Sequence, residues 1–191
     1  MICSRDDYQY YLRADRCALG LDNTWKNRWF NDRWRFQRLL RRVEFYRNCG
    51  RPRWQQLWAE WRMRCLGRLL GYSIPPNVFG PGLALPHRGT IVVNAFARVG
   101  ANCRLHVCTS IGTQAGTLDQ VPVIGDNCYI GPGAKLFGRI VIGDNTVIGA
   151  NAVVNHSFPD GGYTLGGIPA RVISGRDSDG LLIRGTDDAS C

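Results

Sequence analysis

From Val93 to Val154 an aliphatic residue returns at nearly every sixth position: Val93, Val99, Leu105, Ile111, then Ile124, Ile130, Leu136, Ile142, Ile148 and Val154. Four residues after most of them stands something small, at Ala97, Cys103, Thr109, Ala115, Cys128, Ala134, Thr146 and Ala152. Glycine follows directly at Gly100, Gly112, Gly125, Gly131, Gly143 and Gly149. A period of six matches neither the helical 3.6 nor the alternation of a strand entering a tight hairpin. It predicts a short strand and a turn, repeated. Three such units make one triangular coil, and stacked coils enclose the aliphatic column. Phe79 and Leu85 extend the grid backwards, with a slip of two residues near Ile91–Val93. The gap from Ile111 to Ile124 is 13, one more than two units. Residues 113–122 are therefore expected to bulge as a loop, a common place for a site on a repeat scaffold. The repeat fades after Val154, and Gly166–Arg171 closes the coils.

Ahead of the grid the period changes. Residues 6–20 read as a short helix with Tyr8, Tyr11 and Leu12. Residues 31–48 read as a second, capped by Asn31 or Asp32, with Phe36, Leu39, Leu40, Val43 and Tyr46 on one face and arginines on the other. The Asn48-Cys49-Gly50 step is a stop signal. A third helix runs from Pro52 to about Leu70, with Trp54, Leu57, Trp58 and Trp61 as its apolar stripe. Tyr72–Asn77, with two prolines, ends the helical part. The expected organisation is an α-helical, Trp/Arg-rich region over 1–72, a solenoid over 73–175, and a flexible tail over 176–191.

Charge sharpens that division. Residues 1–72 hold 16 Lys/Arg against 7 Asp/Glu, and residues 73–191 hold 8 of each, so the whole net charge of +9 and all six tryptophans lie in the first part. No apolar run approaches the ~20 residues of a membrane-spanning helix, and the first residues do not read as a secretory signal. The eight cysteines show neither CxxC nor zinc-ligand spacing. Cys103 and Cys128 occupy the small inward slot and read as core residues. Together these features point to a cytoplasmic protein.

The segments 80–94 (GPGLALPHRGTIVVN), 102–113 (NCRLHVCTSIGT), 123–154 and 166–173 (GGIPARVI) resemble the hexapeptide-repeat acyltransferases, and within them the serine acetyltransferases and their shorter relatives in surface-polysaccharide gene sets. The resemblance covers about residues 72–174. It implies a mainly β fold, a left-handed parallel β-helix of hexapeptide repeats with a short N-terminal α-helical region. It also implies an acetyl-CoA-dependent O-acetyltransferase, with a histidine as general base in a cleft between neighbouring subunits of a homotrimer or dimer of trimers. Carried onto this chain, the base falls on His87, and a backbone N–H near Gly112–Thr113 would stabilise the oxyanion. The CoA groove would pass Gly112, Thr113, Gly131, Pro132, Ala150 and the Pro169–Arg171 turn, with Arg171 near a CoA phosphate. The chain departs from the serine acetyltransferases where Asp precedes the catalytic His (here Pro86), where an orienting Asp stands about fourteen residues earlier (here Tyr72-Ser73-Ile74), and where an Arg-His pair in the loop helps hold serine (here Gln120-Val121). The acceptor is thus L-serine or a surface-polysaccharide sugar. An N-acetyltransferase of an amino sugar and a non-catalytic trimeric assembly module are the rival readings.

Two other histidines compete with His87. His106 lies about one coil further on, where it either stacks above His87 as a second partner or alternative base or points to solvent; His156 follows the last grid position and reads as a surface residue. A three-histidine zinc site needs all three within ~2.1 Å of one ion, and the 50 residues between His106 and His156 argue against it, so no metal is expected. The Trp/Arg-rich front reads as packing between subunits or as peripheral contact with the inner face of a membrane through residues 25–70. No nucleic-acid motif accompanies its charge.

Overall fold

The aliphatic grid becomes the inner wall of a three-sided stack. The computed structural model describes residues 1–117 and 119–187. Sheet A stacks β1 (Tyr72–Ser73), β2 (Ile91–Val93), β5 (Thr109–Gly112), β8 (Lys135–Phe137) and β11 (Val153–Val154) in parallel. Sheet B stacks β3 (Arg98–Val99), β6 (Val123–Ile124) and β9 (Val141–Ile142). Sheet C stacks β4 (Arg104–Leu105), β7 (Tyr129–Ile130), β10 (Val147–Ile148) and β12 (Thr164–Gly167), with β13 (Ala170–Ser174) added antiparallel at its end. Each coil runs from B through C to A, and single bridges at Phe79–Val99 and Ala84–Arg104 carry B and C into the first coil. This is the left-handed parallel β-helix expected from the resemblance.

Register makes like stack on like. Val99 pairs with Ile124 and Ile124 with Ile142; Leu105, Ile130, Ile148 and Leu165 form a second column; Ile111, Leu136 and Val154 a third. All ten residues of the Val93–Val154 grid are buried. The slip at Ile91–Val93 is a three-residue strand whose two ends both face inward. Corners are turned by asparagines in the left-handed region. Asn102, Asn127 and Asn145, at φ 54°, 55° and 55°, also form a ladder, Nδ2 of each donating to Oδ1 of the next at 2.9 and 3.0 Å. Residues 113–117 and 119–122 leave the stack between β5 and β6, as expected, and carry Ala115 out to solvent rather than into an inward slot.

Four helices precede the stack: α1 (Arg5–Ala18), α2 (Trp25–Phe30), α3 (Asp32–Asn48) and α4 (Arg53–Leu70). Ser4, Thr24 and Asn31 cap the first three, accepting the N–H of Asp7, Asn27 and Trp34 at 3.0, 3.3 and 3.1 Å. Gly71, at φ 81°, ends α4. The six residues of α2 were not anticipated; none is buried, so they offer no burial period to read. The Trp stripe of α4 is the outer face, not the packed one. Ala59, Met63, Gly67 and Leu70 are buried, while Trp54, Leu57, Trp58 and Trp61 are exposed.

The helices join the coils through one buried polar centre. Arg41 is fully buried, yet all five of its N–H groups have partners. Nε and Nη2 bind Asp15 at 2.8 and 3.1 Å, Nη1 binds Glu44 and the Phe79 carbonyl at 3.0 and 2.9 Å, and Nη2 binds the Gly80 carbonyl at 2.6 Å. The carboxylates reach onward: Asp15 accepts the N–H of Leu83 at 2.9 Å and Glu44 that of Asn77 at 2.8 Å. Burial opposes the charge on Arg41, but Asp15 and Glu44 outweigh it and raise its pKa. Phe36, Leu40 and Val43 of α3 share one apolar core with Val78, Phe79 and Leu83 of the first coil.

In place of the flexible tail expected for 176–191, residues 176–187 lie back across the asparagine ladder; residues 188–191 fall outside the described residues. Ser178 is buried and donates to the Asn127 carbonyl at 2.6 Å, and Thr186 Oγ1 accepts from Asn102 at 2.7 Å. Cys103 and Cys128 are buried free thiols, their pKa values pushed up by burial.

Arg41→Met strands two buried carboxylates. It is expected to lower unfolding free energy by about 3–5 kcal/mol in urea denaturation, and Arg41→Lys, with three donors in place of five, to recover only part of the loss.

Candidate active site at the edge between sheets C and A

Wherever a coil passes from sheet C to sheet A it makes a corner, and the corners stack into one edge. His87 occupies this edge in the first coil, His106 in the second, Gly131 and Pro132 in the third, Gly149 and Ala150 in the fourth. Residues predicted from separate motifs are thus aligned by topology. The His87 ring is exposed, and its centroid lies 5.7 Å from that of His106, which in turn lies 4.9 Å from Tyr129.

The turn carrying His87 is held from the helical side at three successive residues. Arg33, in the first turn of α3, donates to the Pro86 carbonyl. The Tyr72 hydroxyl donates to the His87 carbonyl at 2.5 Å. Arg88 pairs with Asp32. Tyr72 therefore acts on the backbone of His87 rather than on its ring. Among the described residues no carboxylate forms an ion pair with either imidazole. Burial, with a smaller opposing effect of Arg33, pushes the Tyr72 phenol up to about 12, so it remains a proton donor near neutral pH.

His87 stands between two depressions. One, of about 420 Å3, is bounded by Lys26, Asn27, Phe30, Arg33 and Arg88. The other, of about 260 Å3, is bounded by Leu19, Leu21, Asn31 and Arg104. His106 is buried beneath, and Arg104 Nε donates to its Nε2 at 3.4 Å. Burial first, then the charges of Arg104 and His87, lower the His106 pKa to about 4. It is a neutral acceptor at pH 7, and His87 is the exposed imidazole of the pair.

The remaining predicted positions divide. Pro132 and Ala150 are exposed along the His87 edge. Gly131 is buried, and a Cβ there would meet the Ile148 carbonyl at 2.8 Å and the Ala150 nitrogen at 2.9 Å, so coil stacking alone demands glycine. Arg171 is exposed on β13, opposite Gly166, at the far end of sheet C. Gly112 and Thr113 lie at the other margin of sheet A, where the 113–122 loop departs; a Cβ on Gly112 would meet only Ser110 Oγ at 4.0 Å, so its backbone is open to approach. One chain therefore does not bring Gly112 and Thr113 to the His87 edge. His156 is exposed beyond β11, on the corner leading from A to B, away from the other two histidines. Among the described residues no cluster of three His, Cys, Asp or Glu is placed to hold a metal. Tyr72, Arg33 and Asp32 escaped sequence reading because their partners lie 15 to 56 positions away and follow no period.

The His106 shift gives the fold an acid-sensitive term. Its neutral form is favoured in the folded state, whereas an ordinary histidine titrates near 6.5. Below that value the unfolded chain binds more protons, so stability falls as pH drops from about 6.5 to about 4. Urea midpoints across this range should decline less steeply for His106→Gln than for the parent, and the His106 ring proton signals should titrate with a midpoint near 4.

Residues 122–156 match the family model described as bacterial transferase hexapeptide (six repeats). The serine acetyltransferase of Synechococcus elongatus is 37% identical over 111 residues, covering 56% of this chain and 45% of the relative. That of Helicobacter pylori is 33% identical over 100 residues, covering 51% and 58%. The chain spans about half the length of these curated relatives. Among solved structures, serine acetyltransferase from Brucella abortus strain S19 in complex with coenzyme A aligns with a TM-score of 0.74 at 23% identity, over 90% of this chain and 70% of that one. The soybean enzyme complexed with serine aligns at 0.71 and 24%, over 88% and 69%. The structures extend the likeness in fold to the helical layer: residues 122–156 carry the hexapeptide repeat, and the chain shares its fold with serine acetyltransferases.

Proposed function

We propose that the chain is an acetyl-CoA-dependent O-acetyltransferase with His87 as general base. The observation that carries this reading is an exposed imidazole at the mouth of a cleft, on a backbone turn tethered at residues 86, 87 and 88, in a fold shared with enzymes whose relatives bind coenzyme A and serine. The neutral ring takes the acceptor hydroxyl proton as the oxygen attacks the thioester carbonyl. The new C–O bond forms, the C–S bond breaks, and the proton passes from the imidazolium to the departing thiolate. The pantetheine arm runs along the edge marked by Pro132 and Ala150 towards Arg171, and the backbone near Gly112–Thr113 serves the oxyanion.

Because Gly112 and Thr113 lie across sheet A from His87, a complete site needs two chains side by side. A homotrimer, or a dimer of trimers, supplies them. Outward valines on sheet A (Val92) and sheet B (Val123, Val141), each close to half exposed, give such neighbours apolar surface to cover. The residues 25–70 offer a second partner surface, a membrane at its cytoplasmic face. The acceptor is L-serine or a sugar of a surface polysaccharide. The roomy cleft, where Asp32 already pairs with Arg88 and Arg33 holds the Pro86 carbonyl, favours an acceptor larger than serine.

Thiol release from acetyl-CoA, measured with serine, homoserine and nucleotide sugars, tests the reaction and the acceptor together. His87→Ala is expected to cut turnover by roughly 10²–10⁴, and no release with any acceptor would overturn the reading. An amide product would instead identify an amino-sugar N-acetyltransferase. Tyr72→Phe frees the His87 carbonyl and is expected to lower kcat about tenfold while leaving the KM for acetyl-CoA unchanged. Light scattering should give three or six times the chain mass of 21.4 kDa.

A further inference from the structure

The outer surface of the helical layer combines two features that proteins seldom expose together. Trp54, Trp58, Trp61 and Leu69 of α4 are 68%, 50%, 61% and 82% exposed, and Trp25 and Trp29 of α2 are 71% and 64% exposed. Beside Trp29, Arg28, Arg35, Arg38, Arg42 and Arg62 line a recess of about 160 Å3 whose lining includes no carboxylate. Among the described residues none of these five arginines makes an ion pair. Arg62 lies over the Trp58 ring at 4.7 Å, which joins the recess to the tryptophan ridge. Arg38 Nε is buried without a hydrogen-bond partner, its Nη2 being engaged by the Arg28 carbonyl. Burial, and then the neighbouring Arg28, Arg42 and Arg35, push the Arg38 guanidinium down to about 10.

We infer that this arginine recess takes the phosphate of an anionic lipid headgroup, with the tryptophan ridge of α2 and α4 seated at the bilayer surface. Guanidinium forks match phosphate oxygens two at a time, and indoles favour the depth of the headgroups. A helix with tryptophans on its outer face and arginines at its margins has the composition of an interfacial anchor. Charge decides against a second copy as the occupant, because a two-fold contact would set the same five cations against themselves. A free phosphate would fill the recess and leave the indoles in water. Phe30 and Lys26 line the His87 cleft beside this surface, so a docked molecule holds that cleft near the membrane. The inference deepens the membrane-facing reading of residues 25–70 and rests on it, and its test does not depend on acyl transfer.

Sedimentation of the full chain with phosphatidylcholine vesicles, with and without phosphatidylglycerol, tests it. Binding is expected only with phosphatidylglycerol, with blue-shifted tryptophan emission and release by added salt. Arg35→Gln/Arg62→Gln should weaken binding roughly thirtyfold, as expected for two arginines at an anionic surface, with an unchanged circular dichroism melt. Trp54→Ser/Trp61→Ser should weaken it by a separate route. Three results would overturn the proposal: no partition onto phosphatidylglycerol, equal partition onto phosphatidylcholine, or an emission shift that inorganic phosphate or self-association reproduces without vesicle binding.

Discussion

Arg41 is a charge taken wholly out of water in a joint where every one of its N–H groups finds an oxygen. A buried ion is costly unless its geometry is complete, so the joint tolerates one docking angle. Asp15 fixes α1, Glu44 and Gln37 fix α3, and the carbonyls of Phe79, Gly80 and Leu83 fix the first coil. What the joint contributes is register more than net stability: any other pose of the helices leaves a guanidinium or a carboxylate uncompensated. The position of the His87 turn follows, because Arg33 reaches it from the same helix that carries Arg41.

The candidate site therefore depends on both layers. The coils supply an edge along which His87, His106, Pro132 and Ala150 line up, and the helices hold the backbone of the first corner and wall the cleft. Neither layer alone makes the depression beside His87. The His106 ring beneath, neutral and shielded, keeps a second positive charge from forming under the exposed imidazole.

The solenoid was legible because a period of six has few physical causes, and ten grid residues all turned inward. The loop at 113–122 was legible as a break in that count. The ends of α3 were legible through Asn31 and the Asn48-Cys49-Gly50 step. Three things were hidden for stated reasons. Burial of Arg41, Glu44 and Gln37 runs against residue type, so α3 looked one-sided when it is covered on two sides. The tryptophans of α4 marked an apolar face but not what that face meets, and the structure turns it outward. The contacts of residues 176–187 depend on Ser178 and Thr186, small polar residues that in sequence look like any solvated end. The alignment of His87 with His106 was legible as one coil of spacing, but the tether through Tyr72 was not, since a hydroxyl reaching a carbonyl leaves no trace in composition.

The excursion between β5 and β6 has an evolutionary corollary. Coils on either side keep their pairing as though it were absent, with Val99 against Ile124 and Ile111 against Leu136. Length and wording there can drift without disturbing a single rung. Natural selection can consequently retune what such a scaffold accepts by editing ten surface letters, while the stacked interior that makes folding reliable is inherited intact.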